Sequence, residues 1–190
     1  FISAACEVFP GVVIQFEDFA NHNAFRLLEH YRDRICTFND DIQGTAAAAA
    51  SGIFSALRVT GGKLADQRLL FLGAGEAATG IADLAVAAML AEGLDAAQAR
   101  RACWLFDSKG LVVSSRSALA AHKQPYAHEG AACSTFIDAI RAIRPTAIVG
   151  VSATPNAFTK EVVELMCQIN QRPIVFALSN PTSRSECMAQ

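Results

Sequence analysis

Apolar positions along this chain follow two periods, with a turn signal between the two regions. Residues 12–16, apolar except at Gln15, predict a short buried strand. Over residues 23–31, Phe25, Leu27, Leu28 and Tyr31 alternate with Arg26, Glu29 and His30 at roughly helical spacing. A second helix is expected over 42–57, alanine-rich and so able to pack closely; its run 46–50 adds helix propensity but no chemistry. Gly61-Gly62-Lys63 then breaks the pattern. Beyond it, short apolar strands (69–72, 103–106, 147–149, 174–178) alternate with helical runs (78–91, 136–143, 159–169). This alternation predicts an α/β fold: a doubly wound, mostly parallel, Rossmann-like sheet with helices on its faces and ligands at the carboxyl ends of its strands. A strand-helix-helix segment over 1–60 precedes the sheet domain of 61–190, the two forming one compact unit. Residues 93–101 read as an insertion that delays the second strand of the sheet.

Two acidic pairs stand in the first segment. Glu17-Asp18 follows Ile14-Gln15-Phe16, and Asp40-Asp41 lies within Phe38-Asn39-Asp40-Asp41-Ile42-Gln43-Gly44-Thr45. An ionised carboxylate among apolar neighbours is costly unless a shared cation, a proton held between acids, or an Arg partner compensates it. The competing interpretation is local: Asp18 or Asp41 caps the helix that follows. With Asn21, Asn39, Gln43 and Thr45 close by, the oxygen-rich donor set favours a hard divalent ion, Mg²⁺ or Mn²⁺ before Zn²⁺.

Leu69-Leu70-Phe71-Leu72 runs directly into Gly73-Ala74-Gly75-Glu76-Ala77-Ala78, and a helix follows. The first glycine permits a tight turn, the second lets backbone approach a pyrophosphate, and Ala78 stays small so that helix and strand can pack. The helix N-terminus offers free N–H groups to phosphate. These features point to dinucleotide binding. Asp107 ends the next strand, 34 residues beyond Gly73 and further than the usual spacing to an acid that accepts from a ribose 2′-OH; the insertion accounts for the delay. Ser108 and Lys109, with Lys123 beyond, form a cationic, hydroxyl-bearing group that favours NADP over NAD. A plain Asp-Ser-Lys-Gly turn is the alternative. Asn180, after the last strand, falls on the same edge and is a candidate for a substrate carboxylate or a nicotinamide amide. Gly150 opens a small-residue loop there that would let the cofactor pass close to the backbone.

The 190 residues are 52% hydrophobic and 18% charged with a net charge of −2, which suits a well-buried core and gives no attraction to nucleic acid or an anionic membrane. No apolar stretch reaches the length needed to span a bilayer. Six cysteines without metal-ligand spacing read as reduced core residues of an intracellular protein, cytoplasmic or mitochondrial. His22, His30, His122 and His128 form no cluster and are expected at the surface or at helix ends. The chain starts at Phe1 inside an amphipathic pattern without an initiator Met, so a fragment of a longer polypeptide is expected.

Taken in order, the acidic pairs, the glycine turn, Asp107-Ser108-Lys109-Gly110-Leu111 and Phe176-Ala177-Leu178-Ser179-Asn180-Pro181-Thr182 resemble the malic enzymes, oxidative decarboxylases of malate. The resemblance covers nearly the whole chain, although Ser114-Ser115-Arg116 replaces a more usual Lys-Gly-Arg. It implies that Glu17, Asp18 and Asp41 ligate Mn²⁺ or Mg²⁺, with Asp40 and Asp41 as catalytic carboxylates and Asp40 handling protons beside the metal. It implies that Asn21 and Thr45 lie near cofactor or substrate, that residues 73–78 hold the pyrophosphate, and that Asn180 binds the substrate carboxylate. Ser108, Lys109 and Lys123 match positions of the NADP-preferring members. The resemblance further implies a small-molecule substrate, malate or pyruvate, a dimeric or tetrameric homo-oligomer, and a catalytic lysine and tyrosine upstream of these residues. Two other functions compete: an isolated nucleotide- and metal-binding module without turnover, and a metal-free dehydrogenase, against which the paired acids argue.

Overall fold

Leu69 and Phe71 leave the strand Leu69–Leu72 on one side and Leu70 and Leu72 on the other, and each pair enters a different apolar core. Side chains alternate across a strand, so a strand buried along its whole length must be covered on both faces. The computed structural model describes residues 1–188; Ala189, Gln190 and the side chain of Asn21 lie outside that description. The chain runs through α1 (Ile2–Val8), β1 (Ile14–Phe16), α2 (Ala20–Tyr31), β2 (Thr37–Asn39) and a π-helical turn (Asp40–Gly44) that continues into α3 (Thr45–Thr60). It proceeds through β3 (Leu69–Leu72), α4 (Glu76–Ala91), α5 (Ala96–Arg101), β4 (Cys103–Asp107), β5 (Gly110–Leu111), α6 (Phe136–Ile143), β6 (Ala147–Gly150), α7 (Lys160–Ile169) and β7 (Ile174–Ala177).

Strands β1 and β2 form a small parallel pair, Ile14 opposite Thr37 and Phe16 opposite Asn39. The other five make one sheet in the order β5-β4-β3-β6-β7, parallel except for the β4-β5 hairpin. Ala46, Ile53 and Leu57 of α3 and Ile81, Ala85 and Met89 of α4 pack on Leu69 and Phe71. Ile140 and Ile143 of α6 and Val162 and Met166 of α7 pack on Leu70, Leu72 and Ile148. This is the doubly wound α/β unit the alternation predicts, and α3 shares its core with the sheet across residue 60.

Several elements differ from expectation. The strand expected over 12–16 begins only at Ile14, and β2 was not expected, because its three residues carry no apolar run of their own and are a strand only through pairing. The helix expected from 42 starts as the π-helical turn at Asp40. Asn39 causes this: its side chain accepts from the Ile42 N–H at 2.9 Å, while the Gln43 side chain accepts from the Asn39 N–H at 3.0 Å. Asn39, not Asp41, is therefore the cap, and α2 starts after Phe19 with no side-chain cap, so Asp18 caps nothing there either. The insertion over 93–101 contains α5, capped by Asp95, whose side chain accepts from the Gln98 N–H at 2.8 Å. Of the six cysteines expected in the core only Cys103 is buried; Cys36 and Cys167 are exposed, and none of the described ones is in a disulfide. No helix is long and apolar enough to cross a membrane.

One contact fixes the first segment on the second. Helix α4 passes the π-helical turn at Gly80, where an added Cβ would overlap the backbone carbonyl of Ile42. A backbone carbonyl cannot swing aside as a flexible side chain can. Gly80→Ala is therefore expected to cost about 1–3 kcal/mol of folding stability, read as a lower midpoint in urea unfolding; an unchanged midpoint would show that the two elements separate freely.

Candidate active site

The carboxyl edge of the sheet carries two cavities that meet at the glycine turn. Gly73 leaves β3 at φ +127, its N–H donating to Phe106 O at 2.8 Å, and an added Cβ would stand 2.7 Å from the Val151 carbonyl oxygen. Only glycine takes that backbone and that space without strain. The chain then turns through Gly75 into α4, and beside the turn lies a cavity of about 570 Å³ lined by Ala74, Gly75, Asp107, Ser108, Lys123 and Ser152 among others. A second cavity of about 590 Å³ is lined by Asp18, Asp41, Thr45, Glu76, Ala77 and Asn180 among others, and it shares Gly75 and Val151 with the first.

The acids in the second cavity come together through the π-helical turn. Asp41 is the second residue of that turn, and its Oδ2 accepts from the Asp18 N–H at 2.8 Å, tying the end of β1 to the start of α3. Asp18 and Ala20 both have φ near +58. Asp tolerates that region better than Ala, and backbone held there is a form of local strain that recurs at functional sites. Burial raises the Glu76 carboxyl above the ordinary range, and the Asp41 and Asp18 carboxylates raise it further. Glu17 is exposed and does not line this cavity; its carboxylate accepts from Gln15 Nε2 at 2.8 Å. Asp40 is half-buried and also stands outside the lining, lying over Gly44. Among the described residues, no group of three or more His, Cys, Asp or Glu side chains is set to hold a metal ion. The expected ligand set is thus represented here by two acids, Asp18 and Asp41, with Glu76 beside them. Asn39 is fully buried, and its side-chain nitrogen has no hydrogen-bond partner.

Charge is handled differently in the first cavity. Asp107 accepts from the Lys109 N–H at 2.9 Å and pairs with Arg116 at 3.0 Å and Lys123 at 2.6 Å. Burial opposes its ionisation, but the hydrogen bonds from Arg116, Lys123 and Lys109 outweigh it and hold the carboxyl down at about 2. The side chain expected to accept from a ribose hydroxyl is therefore already bonded to cations, and two positive charges surround one negative. Ser108 and Lys123 line this cavity, whereas the exposed Lys109 does not and acts through its backbone.

His122, expected at the surface, is half-buried, lines the same cavity, shares a hydrogen bond with Ala74 O at 3.1 Å and stacks on Phe25 with centroids 4.6 Å apart. Burial lowers its pKa, the Ala74 carbonyl opposes that shift, and Lys123 adds to it. Ala78 is buried in the core, as its packing role requires. Gly150 lines neither cavity, and the space where its Cβ would stand is filled by the Glu186 carboxylate. A larger apolar cavity of about 1060 Å³ lies between α2 and α4, bordered by Phe25, Leu28, Ile42, Leu84 and His122. It lacks the glycine turn and the paired acids, so the chemistry is assigned to the two smaller cavities.

Residues 42–190 match the family described as "Malic enzyme, NAD binding domain". The chain belongs to the malic enzyme family. Over 178 residues it is 54% identical to the NADP-dependent malic enzyme of Mus musculus, covering 94% of this chain and 31% of that relative. Over 182 residues it is 54% identical to the chloroplastic NADP-dependent malic enzyme of Flaveria trinervia, covering 95% of this chain and 28% of the relative. The chain thus spans about a third of the length of the curated relatives it matches. Its fold resembles that of the Entamoeba histolytica malic enzyme, with a TM-score of 0.76 at 24% identity over 96% of this chain and 37% of that one. It also resembles the NAD-dependent malic enzyme of Thermotoga maritima, with a TM-score of 0.73 at 23% identity over 96% and 46% of the two chains.

Within this malic enzyme segment, Arg116, Ser152, Ser179 and Glu186 escaped sequence reasoning. Arg116 sits in a stretch that departs from the family pattern, and no local signal marks Glu186, a lone acid whose partners are 34 and 7 residues away. The depressed Asp107 carboxyl has a measurable consequence. Its folded pKa lies below the ordinary 3.8, so its contribution to stability is fully present above that pH and is lost as pH falls through about 2. Asp107→Asn is expected to lower stability at neutral pH and to flatten the acid limb of the stability profile below pH 3.8. Urea unfolding across that range checks it, and an unchanged acid limb would deny the two ion pairs any part in stability.

Proposed function

We propose that this chain is the nucleotide- and metal-binding part of an NADP-dependent malic enzyme that converts L-malate to pyruvate and CO₂. The observation that carries the reading is the junction of the two cavities. A dinucleotide seated on the glycine turn and a small hydroxy acid seated beside Asp18, Asp41 and Asn180 would meet at Gly75 and Val151.

In this reading the backbone N–H groups of the glycine turn and the start of α4 receive the pyrophosphate, and Gly73 keeps that turn tight enough for the approach. Lys123 and Ser108 receive a 2′-phosphate; Arg116 keeps Asp107 neutralised so that its charge does not repel the anion. Lys109 contributes its backbone to the Asp107 turn and a more distant charge. Asn180 donates from its carboxamide to the substrate carboxylate, and Thr45 lies across the same cavity. Asp18 and Asp41, with the neighbouring Glu17 drawn in from its bond to Gln15, would hold Mn²⁺ or Mg²⁺. The fit rests on the oxygen donors that share this cavity, Asp18, Asp41 and Thr45. When bound, a divalent ion supplies Lewis-acid polarisation of a hydroxy-acid oxygen, and the nucleotide supplies the hydride acceptor. Asp40, one residue from Asp41 and half-buried, would handle a proton beside that site.

NADPH formation from malate and Mn²⁺, followed at 340 nm, tests the reading: activity is expected in the protein that carries this chain within a longer polypeptide, and none from these 190 residues alone. Turnover by the isolated chain would overturn the division of labour, and a longer protein inactive on malate would overturn the function. Asp41→Asn should remove Mn²⁺ dependence while sparing nucleotide binding, and unchanged Mn²⁺ affinity would contradict the ligand assignment. Lys123→Ala should weaken NADP⁺ by about tenfold or more through the lost charge-assisted bond and leave NAD⁺ nearly unaffected; equal losses for both would reject the 2′-phosphate role.

A further inference from the structure

Glu186 is fully buried, yet neither cavity includes it. Its carboxylate lies behind both. Oε1 accepts from the Ser152 N–H at 3.0 Å, the Ser152 hydroxyl at 3.2 Å and the Ser179 hydroxyl at 2.6 Å, and Oε2 accepts from the Ser179 N–H at 3.4 Å. The Ser179 hydroxyl in turn accepts from the Ala153 N–H at 2.9 Å. Ser152 belongs to the loop after β6 and lines the nucleotide cavity; Ser179 belongs to the loop after β7, lines the acidic cavity and immediately precedes Asn180. Gly150 is the space that admits the side chain, since a Cβ there would stand 2.5 Å from Glu186 Cδ. The backbone of Glu186 is pinned as well, its carbonyl accepting from the Phe158 N–H at 2.9 Å.

We infer that Glu186 is a positioning residue: one buried carboxylate clamps the β6 loop to the β7 loop and so fixes Asn180 relative to the nucleotide. A burial this complete needs its bonds to be made, and all the partners named are neutral donors on the two loops, which the Ala153 N–H bond to the Ser179 hydroxyl joins beside it. The geometry also explains why glutamate rather than glutamine stands here. A glutamine would turn an NH₂ donor toward groups that themselves donate. The role of Asn180 toward substrate comes from the proposed function, and the inference rests on that reading.

The test is Glu186→Gln in the protein that carries this chain, with four readouts: fold by circular dichroism, NADP⁺ affinity by fluorescence of Trp104, kcat and KM for malate, and amide exchange at Ser152 and Ser179. Misorientation without loss of the binding groups is expected to lower kcat per folded site by about 10- to 100-fold while NADP⁺ affinity changes less than about threefold. Exchange at both serine amides should speed up, and Glu186→Asp, which keeps two acceptor oxygens, should recover part of the loss. A merely structural role would lower the folded fraction and leave kcat per folded site unchanged, which would overturn the inference. Should Glu186→Gln fail to fold, Ser179→Ala replaces it: kcat is expected to fall by about tenfold, and an unchanged kcat overturns the clamp. If the unsubstituted protein does not oxidise malate, the proposed function fails by itself. Amide exchange then still decides the clamp, faster in Glu186→Gln if it exists and unchanged if it does not.

Discussion

The Ile42 carbonyl lies against Gly80 with no room for a side chain between them, and the arrangement of the whole edge depends on that approach. Helix α4 begins at the glycine turn that ends β3, so its position is set by the sheet. The π-helical turn begins at Asp40 and carries Asp41, so its position sets the acids. Close contact between the two converts separate local features, a strand-turn-helix unit and a capped acidic turn, into neighbouring cavities with a common wall. The alanines of α3, packed on Ile81, Ala85 and the sheet, extend the same close approach along the helix pair. Small residues are what allow it; larger ones would hold the elements apart.

The two cavities then treat charge in opposite ways. Around Asp107 the chain supplies its own compensation, with Arg116 and Lys123 on the carboxylate, and the surroundings carry a net positive charge. Around Asp18 and Asp41 the acidic charge falls on Glu76 instead, whose carboxyl is raised by burial first and then by the Asp41 and Asp18 carboxylates. A fold can tolerate such mutual repulsion where the site is open to water and a cation can enter. Local backbone at φ near +58 for Asp18 and Ala20 belongs to the same edge, and the β1-β2 pair holds it in place. Glu186 solves a third electrostatic problem, that of a carboxylate with no water, by using neutral donors from both loops.

The fold was legible in the sequence wherever an apolar run carried its own period. Strands β3, β4, β6 and β7 are short apolar runs, β3 and β6 buried throughout, with helices between them, and the doubly wound sheet follows from that alternation. Strand β2 and the π-helical turn were not legible, because one exists through pairing and the other through the Asn39 and Gln43 side chains. The steric part of the glycine turn could be read, since Gly73 answers to the nearby Val151 carbonyl and Ala78 to the core. Charge pairing could not: whether Asp107 is free depends on Arg116 and Lys123, 9 and 16 residues away. Nor could the Glu186 side chain beside Gly150 be read, since it lies 36 residues on in the chain.

A single site built from two contiguous cavities is the central claim, and anomalous diffraction at the manganese edge tests it most directly. Crystals of the protein that carries this chain, grown with Mn²⁺ and NADP⁺, should give an anomalous peak between the Asp18 and Asp41 carboxylates, with nucleotide density running from Lys123 across Gly75 toward it. A manganese peak elsewhere, or nucleotide seated away from the glycine turn, would contradict the account.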